Sequence, residues 1–386
     1  MKYRLSDDTW DNHEIEAIQR VLKSGRFSMG ERVAEFEKAF AEKFGVKYAL
    51  MVSSGSAANL LAVAGLVYSG KLKRNDEVIV PAVSWSTTYF PLFQFGLKLR
   101  FVDIDKDTLN IDTDKLKAAI TEKTKLICLV NLLGNPNDFS TIKQICADRD
   151  IVIMEDNCES LGAEYNGKKA GTFGLVGTYS TFYSHHLCTM EGGVVVTDDE
   201  ELYHYMLCIR AHGWTRNLPR DSKIYTKSEN AFYESFNFIV PGFNLRPLEM
   251  EGAAGTEQLK KMDGIIAQRR ENAEYFKKKM QDIPDIRTQK ETGNSSWFGF
   301  AIVLEGSSVG RRDTVVQKLA ENDIEVRPIV AGNFTRNKVI EYMEHTVSGE
   351  LTAADDIHDN GFFIGNHSKN NFAEIDYFVD VLKSVL

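Results

Sequence analysis

Between residues 48 and 197 the chain repeats one pattern: a short apolar run, a polar turn, then a segment with helical spacing. The runs at 48–52, 77–80, 97–102, 126–130, 151–154, 176–182 and 193–197 read as strands. The segments at 60–67, 85–95, 112–120 and 139–148 read as helices. Strands that alternate with helices require right-handed crossovers and a largely parallel sheet. The expected fold is therefore α/β, a mostly parallel sheet sandwiched by helices. Ligands of such sheets collect beyond the carboxyl ends of the strands. Ser53–Ser56, Trp85, Asp156, Glu159 and His186 are all expected just past strand ends.

On either side of this block the pattern changes. Residues 12–24 and 31–44 read as amphipathic helices, the first with Ile15, Ile18, Val21 and Leu22 on one face. A helix at 199–211 is followed by a polar stretch, 217–235, expected to be a surface loop. A long helix runs from 248 to about 279, then strands at 296–304 and 324–326 and helices at 311–321 and 373–385. At 386 residues the chain exceeds one small core. We expect a large domain with N-terminal helices over 1–245, a linking helix over 246–280 and a small α/β domain over 281–386.

Charge and cysteine usage exclude several classes. The net charge is −9 with no basic stripe, which argues against nucleic acid. The sequence holds no run of about 18 apolar residues, the length that would span a membrane. The N-terminal MKYRLSDDTW lacks a signal-peptide core. The five cysteines are scattered without a CxxC, which argues against a zinc or iron–sulfur site and fits cytoplasmic thiols. No metal site is expected. Asp103-Ile104-Asp105 has a metal-like spacing but reads as a solvated strand end.

Four places could carry chemistry. Strand, Gly/Ser turn and helix around Gly55 and Ser56 form the arrangement that aims free N–H groups at an anion. The same residues also serve as an ordinary N-cap. Asp156 follows an apolar strand into an expected cleft. A carboxylate there needs a cation, such as a protonated pyridine nitrogen, unless it caps the next turn. His185-His186 sits between two strands, either as a packed pair or as a base. Lys168 and Lys169 lie in a Gly-Lys-Lys-Ala turn away from the strand ends.

The chain also resembles the DegT/DnrJ/EryC1/StrS sugar aminotransferase family of fold-type I pyridoxal-phosphate (PLP) enzymes. The resemblance covers nearly the whole length. It is carried by Ser54-Gly55-Ser56-Ala57-Ala58, Pro81-Ala82-Val83-Ser84-Trp85-Ser86-Thr87-Thr88, Glu155-Asp156-Asn157-Cys158-Glu159 and Gly242-Phe243-Asn244-Leu245-Arg246-Pro247. It implies that Gly55 and Ser56 hold the cofactor phosphate with a hydroxyl from Thr181, and that Trp85 stacks on the ring. It further implies that Asp156 binds the ring nitrogen and that Glu159 lies near the ring hydroxyl. Asn244 would reach the phosphate of the neighbouring subunit, making a homodimer with a shared site.

One departure stands out. The family's Schiff-base lysine is expected at the fifth residue of Phe182-Tyr183-Ser184-His185-His186, which is His186. With its flanks this is similar to the deoxygenating members that act on GDP-4-keto-6-deoxy sugars. The resemblance then implies noncovalent PLP or its amine form, pyridoxamine phosphate (PMP), with L-glutamate as the amine source. His186 would be the base and His185 its orienting neighbour. His212, Arg216 and Arg327 are the expected substrate contacts, the arginines on the pyrophosphate. Relatives that use an iron–sulfur cluster are set aside because the cysteines are not clustered. An aminotransferase using Lys168 or Lys169, and an inactive PLP-binding protein, are the alternatives.

Overall fold

The computed structural model describes residues 2–386. Helices α1 (Asn12–Ser24) and α2 (Glu31–Phe44) precede strand β1 (Tyr48–Val52). Then α3 (Gly55–Tyr68), β2 (Glu77–Pro81), α4 (Ser86–Gln94), β3 (Lys98–Val102), α5 (Thr113–Ala119), β4 (Thr124–Val130), α6 (Phe139–Cys146) and β5 (Val152–Asp156) alternate. A hairpin of β6 (Glu164–Tyr165) and β7 (Lys168–Lys169) leads to β8 (Val176–Ser180) and β9 (Gly193–Thr197). Helix α7 (Glu200–Arg210), the short α8 (Ala231–Glu234) and the long α9 (Glu249–Met280) follow. The remainder contains β10 (Ile286–Thr288), β11 (Gly299–Leu304), α10 (Arg312–Glu321), β12 (Val326–Arg327), β13 (His345–Val347), α11 (Thr352–Asn360), β14 (Gly361–Gly365) and α12 (Phe372–Val385).

The main sheet has eight strands in the order β1-β9-β8-β5-β4-β2-β3-β13. Only β9 runs antiparallel in this sheet, pairing β1 on one side and β8 on the other. The remaining pairs are parallel. The expected α/β architecture is therefore the observed one.

Helix α3 explains why this sheet is well anchored. Ala, Leu and Val dominate it, and ten of its residues are buried against α4, α7 and the sheet. Truncating one such leucine, Leu61, to alanine would cost about 2–5 kcal/mol. The opposite face of the sheet packs Tyr179 onto Phe40 and Phe44 of α2 and onto Leu259 and Met262 of α9. A second sheet, β10-β11-β14-β12, has its own core with α10, α12 and the end of α9. Among the described residues no helix is long and apolar enough to cross a membrane.

Several local expectations are corrected. On α1 the buried residues are Glu14, Ala17 and Val21, while Ile15 and Leu22 are exposed. Glu14 is turned inward by the capping box with Asp11 and by hydrogen bonds from Gln258 and Lys261. Asp103 is buried rather than solvated: it pairs with Lys115 at 2.6 Å and accepts from the N–H groups of Ala353 and Ala354 at the start of α11. The polar stretch after α7 contains the single turn α8. Strand β13, far along the chain, pairs in parallel with β3 at the edge of the main sheet. Strand β11 begins at Gly299, because Trp297 has a left-handed φ of 47° that interrupts the expected strand.

Candidate active site

A cavity of about 380 Å³ opens beyond the carboxyl ends of β1, β2, β4, β5 and β8. Its wall includes Gly55, Ser56, Trp85, Asp156, Glu159, Ser180, His185 and Glu191, closed from the C-terminal part of the chain by Phe298 and Val330. A roomier cleft, about 490 Å³, lies between α1, α2 and α9. It is lined by charged pairs such as Arg32 with Glu35, and holds none of the candidate residues.

At one end of the cavity, Ser54 caps α3 by accepting from the N–H of Ala57 at 3.0 Å. That leaves the first N–H groups of the helix, at Gly55 and Ser56, facing the space beyond β1. A Cβ on residue 55 would come within 2.6 Å of the Ser180 Cβ and 2.9 Å of the Cys158 Sγ. Only glycine lets the three segments meet this closely. The Ser56 hydroxyl donates to Thr87 at 3.0 Å.

Strand alternation corrects one expected ligand. Thr178 and Ser180 share a face of β8, and Thr178 donates to Asn59 of α3 at 2.6 Å. Tyr179 and Thr181 take the other face. Thr181 is fully buried, its hydroxyl paired with Thr189 at 2.5 Å. Ser180, not Thr181, therefore lines the cavity.

Asp156 is the last residue of β5 rather than a loop residue. It is 5% exposed. Its Oδ2 accepts from Asn59 Nδ2 at 2.8 Å and Thr88 Oγ1 at 2.7 Å, and its Oδ1 from the Cys158 N–H at 3.1 Å. Thr88 spends its proton on Asp156 and so accepts from Ser84 at 2.8 Å. All three donors to Asp156 are neutral. A buried carboxylate held only by neutral donors is suited to receive a cation from a ligand. Asn59 and Thr88 escaped the sequence reading. The available signal was an amide within the otherwise apolar run of α3.

Glu159 accepts from the Leu133 N–H at 3.0 Å. Burial pushes its carboxyl up to about 7, with the Leu133 N–H opposing and Asp156 adding to the rise. The neighbouring Cys158 thiol is pushed well up by burial and by Asp156, so it stays protonated.

The two histidines part at the turn between β8 and β9. The N–H of His185 donates to Phe182 O at 2.9 Å, closing a tight turn in which successive side chains diverge. His186 points into the protein, fully buried, with Nε2 donating to Ser296 O at 3.1 Å. His185 is the one on the cavity wall. Among the described residues its Nδ1 is shut away without a partner, which leaves Nε2 to meet a ligand. Burial, then the charge of Arg269, pulls the His185 imidazole down to about 4, against the Phe182 backbone. It is a neutral ring at pH 7. His185 therefore stands on the cavity wall where His186 was expected, and His186 takes the packed position.

Trp85 stands at the cavity rim, 59% exposed, as the N-cap residue of α4. Asn244, His212, Arg216 and Arg327 lie outside the cavity wall. Arg246 bridges Asn244 (2.9 Å) and His212 (3.3 Å) into one exposed cluster. Arg216 stacks over Trp214 at 5.5 Å. Arg327 lines a separate small cavity of about 170 Å³ beside α10. No lysine lines the main cavity among the described residues. Lys169 pairs with Glu164 at 3.1 Å and Lys168 lies over Phe173, both on the β6–β7 hairpin. Among the described residues no group of three or more His, Cys, Asp or Glu could hold a metal ion.

These features fit PLP: an anion cradle, a buried carboxylate awaiting a cation, and an unpartnered imidazole on one wall. Comparison with known proteins agrees. The model of the DegT/DnrJ/EryC1/StrS aminotransferase family matches residues 8–383. The chain is 58% identical to GDP-4-keto-6-deoxy-D-mannose 3-dehydratase of Yersinia pseudotuberculosis, over 99% of this chain and 98% of the relative. It is similar to a solved GDP-4-keto-6-deoxymannose-3-dehydratase with a trapped PLP-glutamate geminal diamine, with a TM-score of 0.97, 55% identity, and 99% and 100% of the two chains covered. It is also similar to a solved ColD variant with a TM-score of 0.96, 55% identity, and 97% and 100% coverage. In that variant a serine and the histidine directly after it are replaced by asparagine and lysine.

Proposed function

The chain belongs to the DegT/DnrJ/EryC1/StrS aminotransferase family, and on that premise we propose that it is a PLP-dependent 3-dehydratase of GDP-4-keto-6-deoxy-D-mannose. It removes the hydroxyl at carbon 3 to give GDP-4-keto-3,6-dideoxy-D-mannose, with L-glutamate restoring the amine form of the cofactor. The product is a precursor of 3,6-dideoxy sugars such as the O-antigen sugar colitose. The observation that carries this reading is a cavity that has, among the described residues, a neutral, unpartnered histidine and no lysine on its wall.

When bound, the cofactor supplies an electron sink: a protonated pyridine ring that accepts the electron pair left when a neighbouring carbon loses a proton. Asp156 would hold the proton on the ring nitrogen, its direction fixed by Asn59 and Thr88. The N–H groups of Gly55 and Ser56, with the Ser56 and Ser180 hydroxyls, would receive the phosphate. Trp85 would cover the ring. Glu159, protonated near neutrality, would share its proton with the ring hydroxyl.

His185 Nε2 would accept the proton whose loss drives the C3 hydroxyl out, then return it to that departing oxygen. His185 directly follows Ser184, the same order as the exchanged serine and histidine in the solved variant; His186 does not. A histidine cannot make the covalent imine a lysine makes, so the cofactor is held by these contacts alone. Leu132 and Phe298 would keep water from the reacting face.

The exposed Asn244–Arg246–His212 cluster would complete the phosphate site of a neighbouring protomer in a homodimer. Arg216 and Arg327 remain the proposed contacts for the pyrophosphate. We place the protein in the cytoplasm, where its five free cysteines stay reduced.

Incubating purified protein with PLP, L-glutamate and GDP-4-keto-6-deoxy-D-mannose tests the reading. The expected products are a sugar nucleotide lighter by one oxygen, ammonia and 2-oxoglutarate. An aminated sugar in their place would overturn it.

A further inference from the structure

Two consecutive arginines of α9, Arg269 and Arg270, reach into the backbone turn that carries Phe298. Arg269 is 2% exposed. Its partners are carbonyl oxygens rather than a carboxylate: Nη1 donates to Asn366 at 2.9 Å, Phe298 at 3.1 Å and Trp297 at 3.5 Å. Among the described residues its Nε has no partner. Arg270 donates to Ser295 at 2.9 Å and to Gly162 and Asn294 at 3.2 Å.

A buried guanidinium whose direct partners are carbonyls, with Asp7 as the nearby negative charge, is expensive, and an apolar residue of similar size is often the more stabilising choice in a core. The turn it holds is itself strained. Trp297 has φ 47°, and Leu133, whose carbonyl accepts from the Phe298 N–H at 2.9 Å, has φ 52°. A Cβ on the neighbouring Gly134 would come within 2.5 Å of the Trp297 nitrogen. Strain held by a buried charge is typical of a site that must keep one geometry. The geometry kept here is the back wall of the histidine pair. The Phe298 ring lies 5.1 Å from His185 and 5.7 Å from His186, and Ser296 O receives His186 Nε2.

We propose that Arg269 is a positioning residue for the dehydration: by holding the carbonyls of Trp297, Phe298 and Asn366 it fixes Phe298 against His185, so that the imidazole meets its proton in one orientation. The proposal rests on the reading of His185 as the base. After burial, Arg269 is the largest cause of the low His185 value of about 4. His186 adjoins the ring, Arg270 acts on His186 from the same helix, and Asp156, Glu159 and Glu191 share the cavity wall.

The test compares Arg269→Met and Arg269→Lys in the PLP-loaded protein. The first readout is the His185 imidazole titration, followed by NMR on ring-labelled histidine and assigned with His185→Asn. The second is the pH dependence of single-turnover deoxygenation. Arg269→Met should raise the His185 titration by about one unit, the scale of a nearby-charge effect. The acid limb of the rate should move up with it, while KM changes little. Arg269→Lys keeps the charge but cannot span the three carbonyls, so the titration should stay near that of the native protein while kcat falls about tenfold or more. A native kcat in Arg269→Lys overturns the proposal, and Arg269→Lys decides alone if Arg269→Met does not fold. A titration that moves while the rate limb stays fixed overturns His185 as the base instead.

Discussion

Asn59 holds Asp156 in place: its Nδ2 donates to the carboxylate Oδ2 at 2.8 Å, and both side chains are buried. The amide is itself oriented by Thr178, which donates to its Oδ1 at 2.6 Å. The chain of contacts runs from β8 through α3 to the end of β5, so rigid elements aim the carboxylate before any ligand arrives. Replacing Asn59 by leucine removes one donor to a charged group, worth about 1.5–3 kcal/mol. PLP affinity, read by absorbance titration, should fall about ten- to hundredfold. Unchanged affinity would show that Asp156 is not the anchor of the ring.

Asp156→Asn keeps the volume and removes the charge. Loss of a charge-assisted hydrogen bond alone predicts a fall in rate of about ten- to a few-hundredfold. Charge that develops only in the transition state adds to this. The melting temperature of the apo protein should change little. A normal single-turnover rate with a lowered melting temperature would return Asp156 to the role of a turn cap.

Glu159 gives a pH signature. Its carboxyl rises from an ordinary 4.5 to about 7, chiefly through burial. A raised carboxyl binds its proton more tightly in the folded chain than in the unfolded one. Its contribution is fully present below about pH 4.5 and is lost as pH climbs through 7, about 3 kcal/mol across that window. Melting of apo Glu159→Gln between pH 4.5 and 8 should therefore fall less steeply than melting of the native apo protein. Parallel curves would refute the assignment.

Much of this was legible in the sequence because two signals are local. The apolar runs and helix spacings place seven of the eight strands of the main sheet, all but β13, and most helices within a residue or two. Small residues after β1 and the acid after an apolar strand mark two stretches of the cavity wall, Gly55–Ser56 and Asp156. What failed depends on direction. Period-two alternation decides whether Ser180 or Thr181 faces α3, and the strand had to end at Ser180 for that to be read. A turn gives adjacent side chains opposite directions, so His185 and His186 are indistinguishable by composition. Strand β13 and helix α11 are short, and they form by docking on β3 and on Asp103, contacts more than two hundred residues away in sequence.

The most direct test of the account compares His185→Asn with His186→Asn. Each PMP-loaded protein is mixed with GDP-4-keto-6-deoxy-D-mannose, and loss of the C3 hydroxyl is followed in a single turnover. General-base catalysis is worth about 10²- to 10⁴-fold, so His185→Asn should lose at least a hundredfold in rate while still binding the sugar nucleotide. His186→Asn should lose stability through the broken contact with Ser296 and keep measurable deoxygenation. A His185→Asn protein that deoxygenates at the native rate would contradict the account.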